Sequence, residues 1–277
     1  MKTSTSSPYL LTVYLILLYS CSSPWEKQIH GSYKIIKAGT LEETIDESSG
    51  LIKESDTRYW THNDGPDNRL FLINKKGKIL RTDTIQTGFW DWEDITKGDN
   101  GLLYLGDFGN NQNKRPYLKI YSYNPVTKAL IDTITFIYPD QKKFPPHRLE
   151  KNFDCEGFFW YENHLYLFSK NRGNKMVRIY RVPDKGYGRH KATIIDKTIL
   201  HSPITGADIN PAKNRYALLT YHYLYIFGIN KGKINFAKPV DKILIKDGRQ
   251  MEAVCFVNDS CLMVTNENRD IYFINKK

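Results

Sequence analysis

The chain has 277 residues, of which 40% are hydrophobic and 13% aromatic, and it carries a formal net charge of +10 at pH 7. That length and apolar content allow a full-sized core. The positive charge is scattered through turn-like stretches such as NKKGK (74–78) and NKGK (230–233). It is not clustered with aromatic residues on one element, which argues against a nucleic-acid interface and for a solvated surface. Tyrosine is abundant at 19, and with Phe, Ile and Thr it leans the chain towards strand. Long stretches of helical periodicity are absent.

At the N-terminus, Lys2 opens a weakly basic segment, and residues 9–19 (YLLTVYLILLY) form an apolar run too short to span a bilayer comfortably. The run ends in Leu18-Tyr19-Ser20-Cys21, which resembles a bacterial lipobox. The resemblance implies a signal peptide over 1–20, lipid on the Cys21 sulfur, a tether over 21–31 and a folded domain over 32–277. The domain is then expected in the cell envelope, membrane-anchored on a periplasmic or cell-surface face. Tyr19 is bulkier than such a site usually prefers, so an ordinary signal peptide and an uncleaved anchor are the alternatives. Export places Cys155, Cys255 and Cys261 where disulfides are permitted, and the odd number leaves at least one free. Cys255 and Cys261 flank the VNDS turn and are either cross-strand partners or small buried hydrophobes.

Beyond the leader, one plan recurs. ESSGLIKESDTRYWTHNDG (47–65), WEDITKGDNGLLYLGDFGNN (92–111), CEGFFWYENHLYLFSKNRGN (155–174), TGADINPAKNRYALLTYHY (205–223) and MEAVCFVNDSCLMVTNENRD (251–270) share it. Each has an acidic or small triplet, a hydrophobic residue, a polar turn, and an apolar strand with a polar end. Aligned on Leu51, Ile95, Phe158, Ile209 and Val254, the units recur at intervals of 44, 63, 51 and 45 residues, the spacing of propeller blades. The second unit predicts strands near 94–98, 102–107, 117–124 and 130–138. Third strands look alike throughout, from RLFLIN (69–74) to IYFIN (271–275). The fifth unit ends after its third strand, so SYKIIKAGT (32–40) is predicted to supply the fourth and close the ring. The fold class is therefore all-β, a five-bladed propeller, with six blades as the alternative. Residues 138–154 are read as a long loop between blades, and a monomer is expected.

In a propeller the innermost strands line a central tunnel, so the blade openings meet at one mouth. One column of the alignment reads Ser49, Glu93, Glu156, Ala207 and Glu252. Two residues earlier, on the same side of a strand, stand Glu47, Asp91, Asp154, Thr205 and Gln250. The second-strand ends add Asn63, Asp64, Asp107, Asn111, Asn266 and Glu267 as a ligand-binding rim. Acidity is thus aimed at the axis of a basic protein. Carboxylates crowded there repel and resist ionisation unless a cation joins them. An oxygen-rich ring suits Ca²⁺, with Glu93, Glu156, Glu252, Ser49 and Glu47 as candidate ligands. The competing reading is a wet channel whose acidic groups cap backbone amides.

The ESSGL, WEDI and CEGF openings, with the GDFGNN and TNEN strand ends, resemble the SdiA-regulated family of exported five-bladed propellers, distant relatives of NHL-repeat proteins. The resemblance covers residues ~33–277 and implies a propeller with a calcium site and no established activity. The same openings bear a weaker likeness to calcium-activated nucleotidases (apyrases), which place Ca²⁺ in a five-bladed tunnel.

Three functions compete. In the first, a lipid-anchored calcium-binding propeller recognises a small molecule or glycan at its mouth, with Trp60, Trp90, Trp92 and Trp160 near the openings. In the second, a calcium-dependent hydrolase acts on phosphate or carboxylic esters, with His62 or His222 as base and Lys170 or Arg172 holding the anion. The third is an interaction scaffold. The chain has no G-x-S-x-G elbow, HExxH helix or P-loop, so no motif assigns an enzyme class.

Overall fold

The computed structural model describes residues 33–170, 172–246 and 249–277. The expected signal peptide, Cys21 and the tether lie outside the described residues. Five sheets, each built on four antiparallel strands, make five blades; the strands run in chain order from the inside out except for the outer strand of the fifth, and the second sheet carries one additional short strand. Blade one runs from Ser48–Lys53 through Arg58–Asn63 and Arg69–Asn74 to Ile79–Thr84. Blade two follows as Trp92–Lys97, Leu103–Asp107, Leu118–Asn124 and Ala129–Ile137, within two residues of the predicted bounds. Blades three, four and five open on Asp154–Tyr161, Ile204–Ile209 and Met251–Asn258.

The fifth blade borrows its outer strand from the other end of the chain. Tyr33–Thr40 pairs antiparallel with Asp270–Lys276, from Tyr33 opposite Lys276 to Thr40 opposite Asp270, with one register shift between Lys37 and Gly39. The borrowed strand closes the ring at five blades and covers an edge that would otherwise recruit another chain.

Burial explains the strand order. Inner strands are buried along nearly their whole length, whereas outer ones alternate, as in Ile79–Thr84 and Ala129–Ile137. The apolar core lies between neighbouring blades. Phe108 of blade two meets Phe158 of blade three edge-on at 5.0 Å, and Phe159 packs against Tyr216 of blade four at 5.5 Å. Phe158 and Phe159 are fully buried, each contributing roughly 1.5–3 kcal/mol by area.

Inner strands also have a free edge, and side chains from the neighbouring blade satisfy it. Asp94 Oδ2 accepts the Phe158 N–H at 3.0 Å, Thr96 Oγ1 that of Trp160 at 3.3 Å, and Asp208 Oδ2 that of Phe256 at 2.7 Å. These bonds give buried amides the partners they require.

Residues 138–154 connect blades two and three as expected, with one 3₁₀ turn at Arg148–Glu150. A further short strand, Arg189–Lys191, was not legible in the sequence; it leaves blade three to pair in parallel with Ala129–Ile137 of blade two. Cys155, Cys255 and Cys261 are free and buried. Cys255 stands opposite Met263 and Cys261 opposite Asn258, so the small-hydrophobe alternative holds over the disulfide.

Candidate functional site: an acidic mouth with built-in cations

Every inner strand skips register once near its start. The breaks fall between Ser48 and Gly50, Trp92 and Asp94, Cys155 and Gly157, Ile204 and Gly206, and Met251 and Ala253. The extra residues are Ser49, Glu93, Glu156, Thr205 and Glu252. A bulge bends its strand and re-aims a side chain, so this column is a structural feature of the blade opening. Four members are those predicted from the sequence. The fourth blade is a correction: its member is Thr205, and Ala207 lies two residues further in, opposite Leu218, where the other blades carry Leu51, Ile95, Phe158 and Val254. Alignment on Ile209 had displaced the blade by one strand period, which leaves the in–out pattern unchanged and so goes unnoticed.

The second strands return to the same end. Asn63, Asp107, Ser169, Thr220 and Asn266 face the residues just before the bulges. The next positions are Asp64, Phe108, Lys170, Tyr221 and Glu267, and all but Phe108 line a central cleft of about 150 Å³. Glu47, Ser49, Glu156 and Glu252 of the expected metal set line it as well, as do Arg172 and Asn111. Tyr221 was not foreseen.

Glu93 is 2% exposed and is not among the lining residues. Oxygens of Asp64, Asp91 and Glu93 lie within 4.8 Å of one another, and so do those of Glu93, Asp154 and Glu156. Glu93 therefore joins two carboxylate triads. Burial, then the charges of Glu156, Asp64, Asp154 and Asp91, push its carboxyl well above the usual range. Burial and the neighbouring Asp64 and Asp154 likewise lift Asp91 to about 6.

The triads differ in what balances them. Lys170 Nζ sits 2.6 Å from Glu156 Oε2, while Arg172 bridges Asp154 at 2.5 Å and Glu156 at 3.0 Å. Burial disfavours the Lys170 charge, but Glu156 beside it prevails and raises its pKa. The residues assigned from sequence to an incoming anion are thus already engaged with the protein's own carboxylates. No such cation pairs with the Asp64–Asp91–Glu93 triad among the described residues. Glu93 Oε1 and Asp64 Oδ1 are both buried there without a hydrogen-bond partner. Gly109 packs against this triad so closely that a methyl group in its place would collide with Glu93 Oε1 and the Asp91 carboxylate. A carboxylate oxygen left bare in a buried, acid-lined space fits a cation better than a backbone cap.

The remaining candidates are placed as follows. His62 is fully buried, stacked on Trp92 at 3.8 Å, with Nδ1 on the Asn63 carbonyl at 2.8 Å. Burial drops its pKa to about 3, so it is a neutral packing residue. His222 is exposed and is not among the residues lining the cleft. Asn63 clamps a turn through the Thr44 carbonyl and Asp67. Asp107 accepts the Trp90 and Asp91 N–H groups and pairs with Arg115 at 3.1 Å. Asn266 accepts the Asp270 N–H at 2.8 Å in the turn after its strand. These three shape the rim from behind. Glu252 faces the cleft, where burial raises its carboxyl to about 8 against the pull of Lys170. Trp60, Trp92 and Trp160 are buried, and Trp90 is 74% exposed.

No protein-family model matches the chain, and no curated protein matches it. Solved structures do. The X-ray structure of a putative gluconolactonase is 9% identical with a TM-score of 0.51, covering 90% of this chain and 94% of that one. The crystal structure of the WD40 β-propeller domain of Doa1 is 11% identical with a TM-score of 0.40, covering 86% of this chain and 67% of that one. At such identities the likeness concerns the fold. The chain is a five-bladed β-propeller whose blade openings converge on an acidic mouth.

Proposed function

We propose that the protein is an extracytoplasmic, lipid-anchored propeller that holds Ca²⁺ beneath its mouth and recognises a ligand there. One observation carries the metal: the bare, buried Glu93 Oε1 beside Asp64 and Asp91, in the triad that forms no direct ion pair among the described residues. Asp64, Asp91 and Glu93 are the holding residues. Glu156, of the set expected from sequence, is instead engaged by Lys170 and Arg172, while Glu47, Ser49 and Glu252 stand at the cleft, where the ligand enters. A bound calcium ion supplies positive charge for a carboxylate, phosphate or hydroxyl oxygen, and hard oxygen ligands favour it over softer metals. The resemblance of the blade openings to the SdiA-regulated propellers supports the same reading.

A hydrolytic role is the second reading, favoured by Glu252. With His62 sealed and His222 away from the cleft, this carboxyl is the mouth's candidate acid–base group, beside Lys170 and Tyr221. The solved neighbours include a putative gluconolactonase, so lactones join phosphoesters and carboxylic esters as substrates to screen.

Thermal melts with calcium and with chelator test the metal. At ~100 Kd of free ion, binding stabilises the fold by about 2.7 kcal/mol. The shift is expected in the wild type and not in Glu93→Gln; equal melting in both conditions for the wild type contradicts the proposal. Mass spectrometry of the native protein tests the anchor, since an intact Lys2 peptide or a free Cys21 thiol is incompatible with it.

A further inference from the structure

A second hollow lies on the outer side of the mouth, along blade two. It encloses about 820 Å³, within the ~300–1,000 Å³ typical of small-molecule sites. Trp90, Tyr117, Lys114, Arg115 and Lys119 line it. Trp90 is 74% exposed and Tyr117 41%, so two aromatic rings are offered to water in one groove. Neither is a loose side chain on a loose loop. The Trp90 N–H is held by Asp107 Oδ1 at 3.2 Å. Its ring has the Arg115 guanidinium 5.4 Å from the centroid, and Arg115 is itself fixed by the Gly109 carbonyl at 2.7 Å and the Asp107 carbonyl at 3.0 Å. Tyr117 has the Arg189 guanidinium 5.0 Å from its ring. The single acidic lining residue, Asp107, is 2% exposed and spent on Arg115 and two backbone amides. The groove therefore presents flat apolar faces and net positive charge.

The groove is also continuous with the mouth. Trp90, Lys114 and Arg115 are shared with an adjoining hollow of about 360 Å³, and that hollow shares Asn111 with the central cleft. A ligand built of linked units fits such a path better than a single compact one. We propose that this groove binds an acidic oligosaccharide, a chain that stacks a sugar ring on Trp90, sets its uronate carboxylates against Lys114 and Lys119, and turns only an uncharged, hydroxyl-bearing end towards the acidic mouth. A sugar has one C–H face for the indole and hydroxyl edges that stay wet, which matches a ring exposed in an open groove. A wholly aromatic anion would leave its second face in water there. None of the three metal-holding carboxylates lines the groove, whereas Asp91 lines the adjoining hollow; the extension towards the mouth rests on the ligand-recognition reading above.

Calorimetric titration of the full chain, in chelator, tests it with trigalacturonate, with neutral maltotriose and with benzoate. The expected result is saturable, salt-sensitive binding of trigalacturonate that is about tenfold weaker in Trp90→Ala and weaker in Lys114→Ala/Lys119→Ala. No saturable binding, equal binding by Trp90→Ala, equal affinity for maltotriose, or preference for benzoate overturns the proposal. Binding that persists while calcium gives no melting shift sinks the metal alone; a calcium shift without binding sinks the groove alone.

Discussion

Lys170→Met is a direct probe of the cations built into the mouth. Its side chain is 5% exposed, and that of its partner Glu156 is 7% exposed, so both charges are largely out of water. Removing one member of such a pair leaves the other uncompensated and costs about 3–5 kcal/mol. Arg172 still reaches Glu156 at 3.0 Å but is shared with Asp154, which places the expected loss at the low end, about 3 kcal/mol. For a chain of this size that corresponds to a fall in Tm of roughly 6–12 °C. The assay is a thermal melt in chelator, with Glu156→Gln and the double variant completing the cycle. Because the penalty is an uncompensated carboxylate, the double variant is expected to be more stable than Lys170→Met alone. The Lys170→Met deficit should also shrink on acidification, as Glu156 takes up a proton. A Tm within about 2 °C of the wild type, or no recovery in the double variant, refutes the pairing.

Two further outcomes follow from the ring itself. Burial raises the Asp208 carboxyl from its ordinary value to about 7, against the N–H groups of Phe256 and Ile209. The folded state therefore holds this proton over a pH range where the unfolded chain releases it. The associated stability is complete below pH ~4 and lost as pH rises through ~7, by at most about 4 kcal/mol; denaturant midpoints across pH should show that slope flattened in Asp208→Asn, and parallel profiles would contradict it. Deleting residues 33–40 uncovers the edge of Asp270–Lys276, so light scattering and melting should report aggregation or lost cooperativity, whereas a monomer with unchanged melting would count against closure by that strand.

The blade count, the closing strand and four of five members of the axial column were legible because each depends on a local pattern, whereas the bulges that hold that column were not read from the sequence. Period-two alternation, polar turns and a missing fourth strand are written in consecutive residues. Blade four shows where such patterns stop: Ala207 and Ile209 both suit an inner position, and only pairing with Leu218 and Tyr216 separates them. The carboxylates were visible as a class, but their partition was not. Nothing in the sequence says that Lys170 and Arg172 fold back onto Glu156 and Asp154 while Asp64, Asp91 and Glu93 form no direct ion pair among the described residues. Likewise, His62 looked available at a strand end until Trp92 and Gly50 closed around it. The short parallel strand Arg189–Lys191 has no apolar signature, since its role is to cover an edge.

The most direct test of the calcium site is to locate the ion by anomalous diffraction from crystals grown with Ca²⁺. One peak is expected ~2.3–2.6 Å from carboxylate oxygens of Asp64, Asp91 and Glu93, absent in crystals of Glu93→Gln. A peak among Glu93, Asp154 and Glu156 with Lys170 and Arg172 displaced, or no peak at the mouth in saturating calcium, would contradict it.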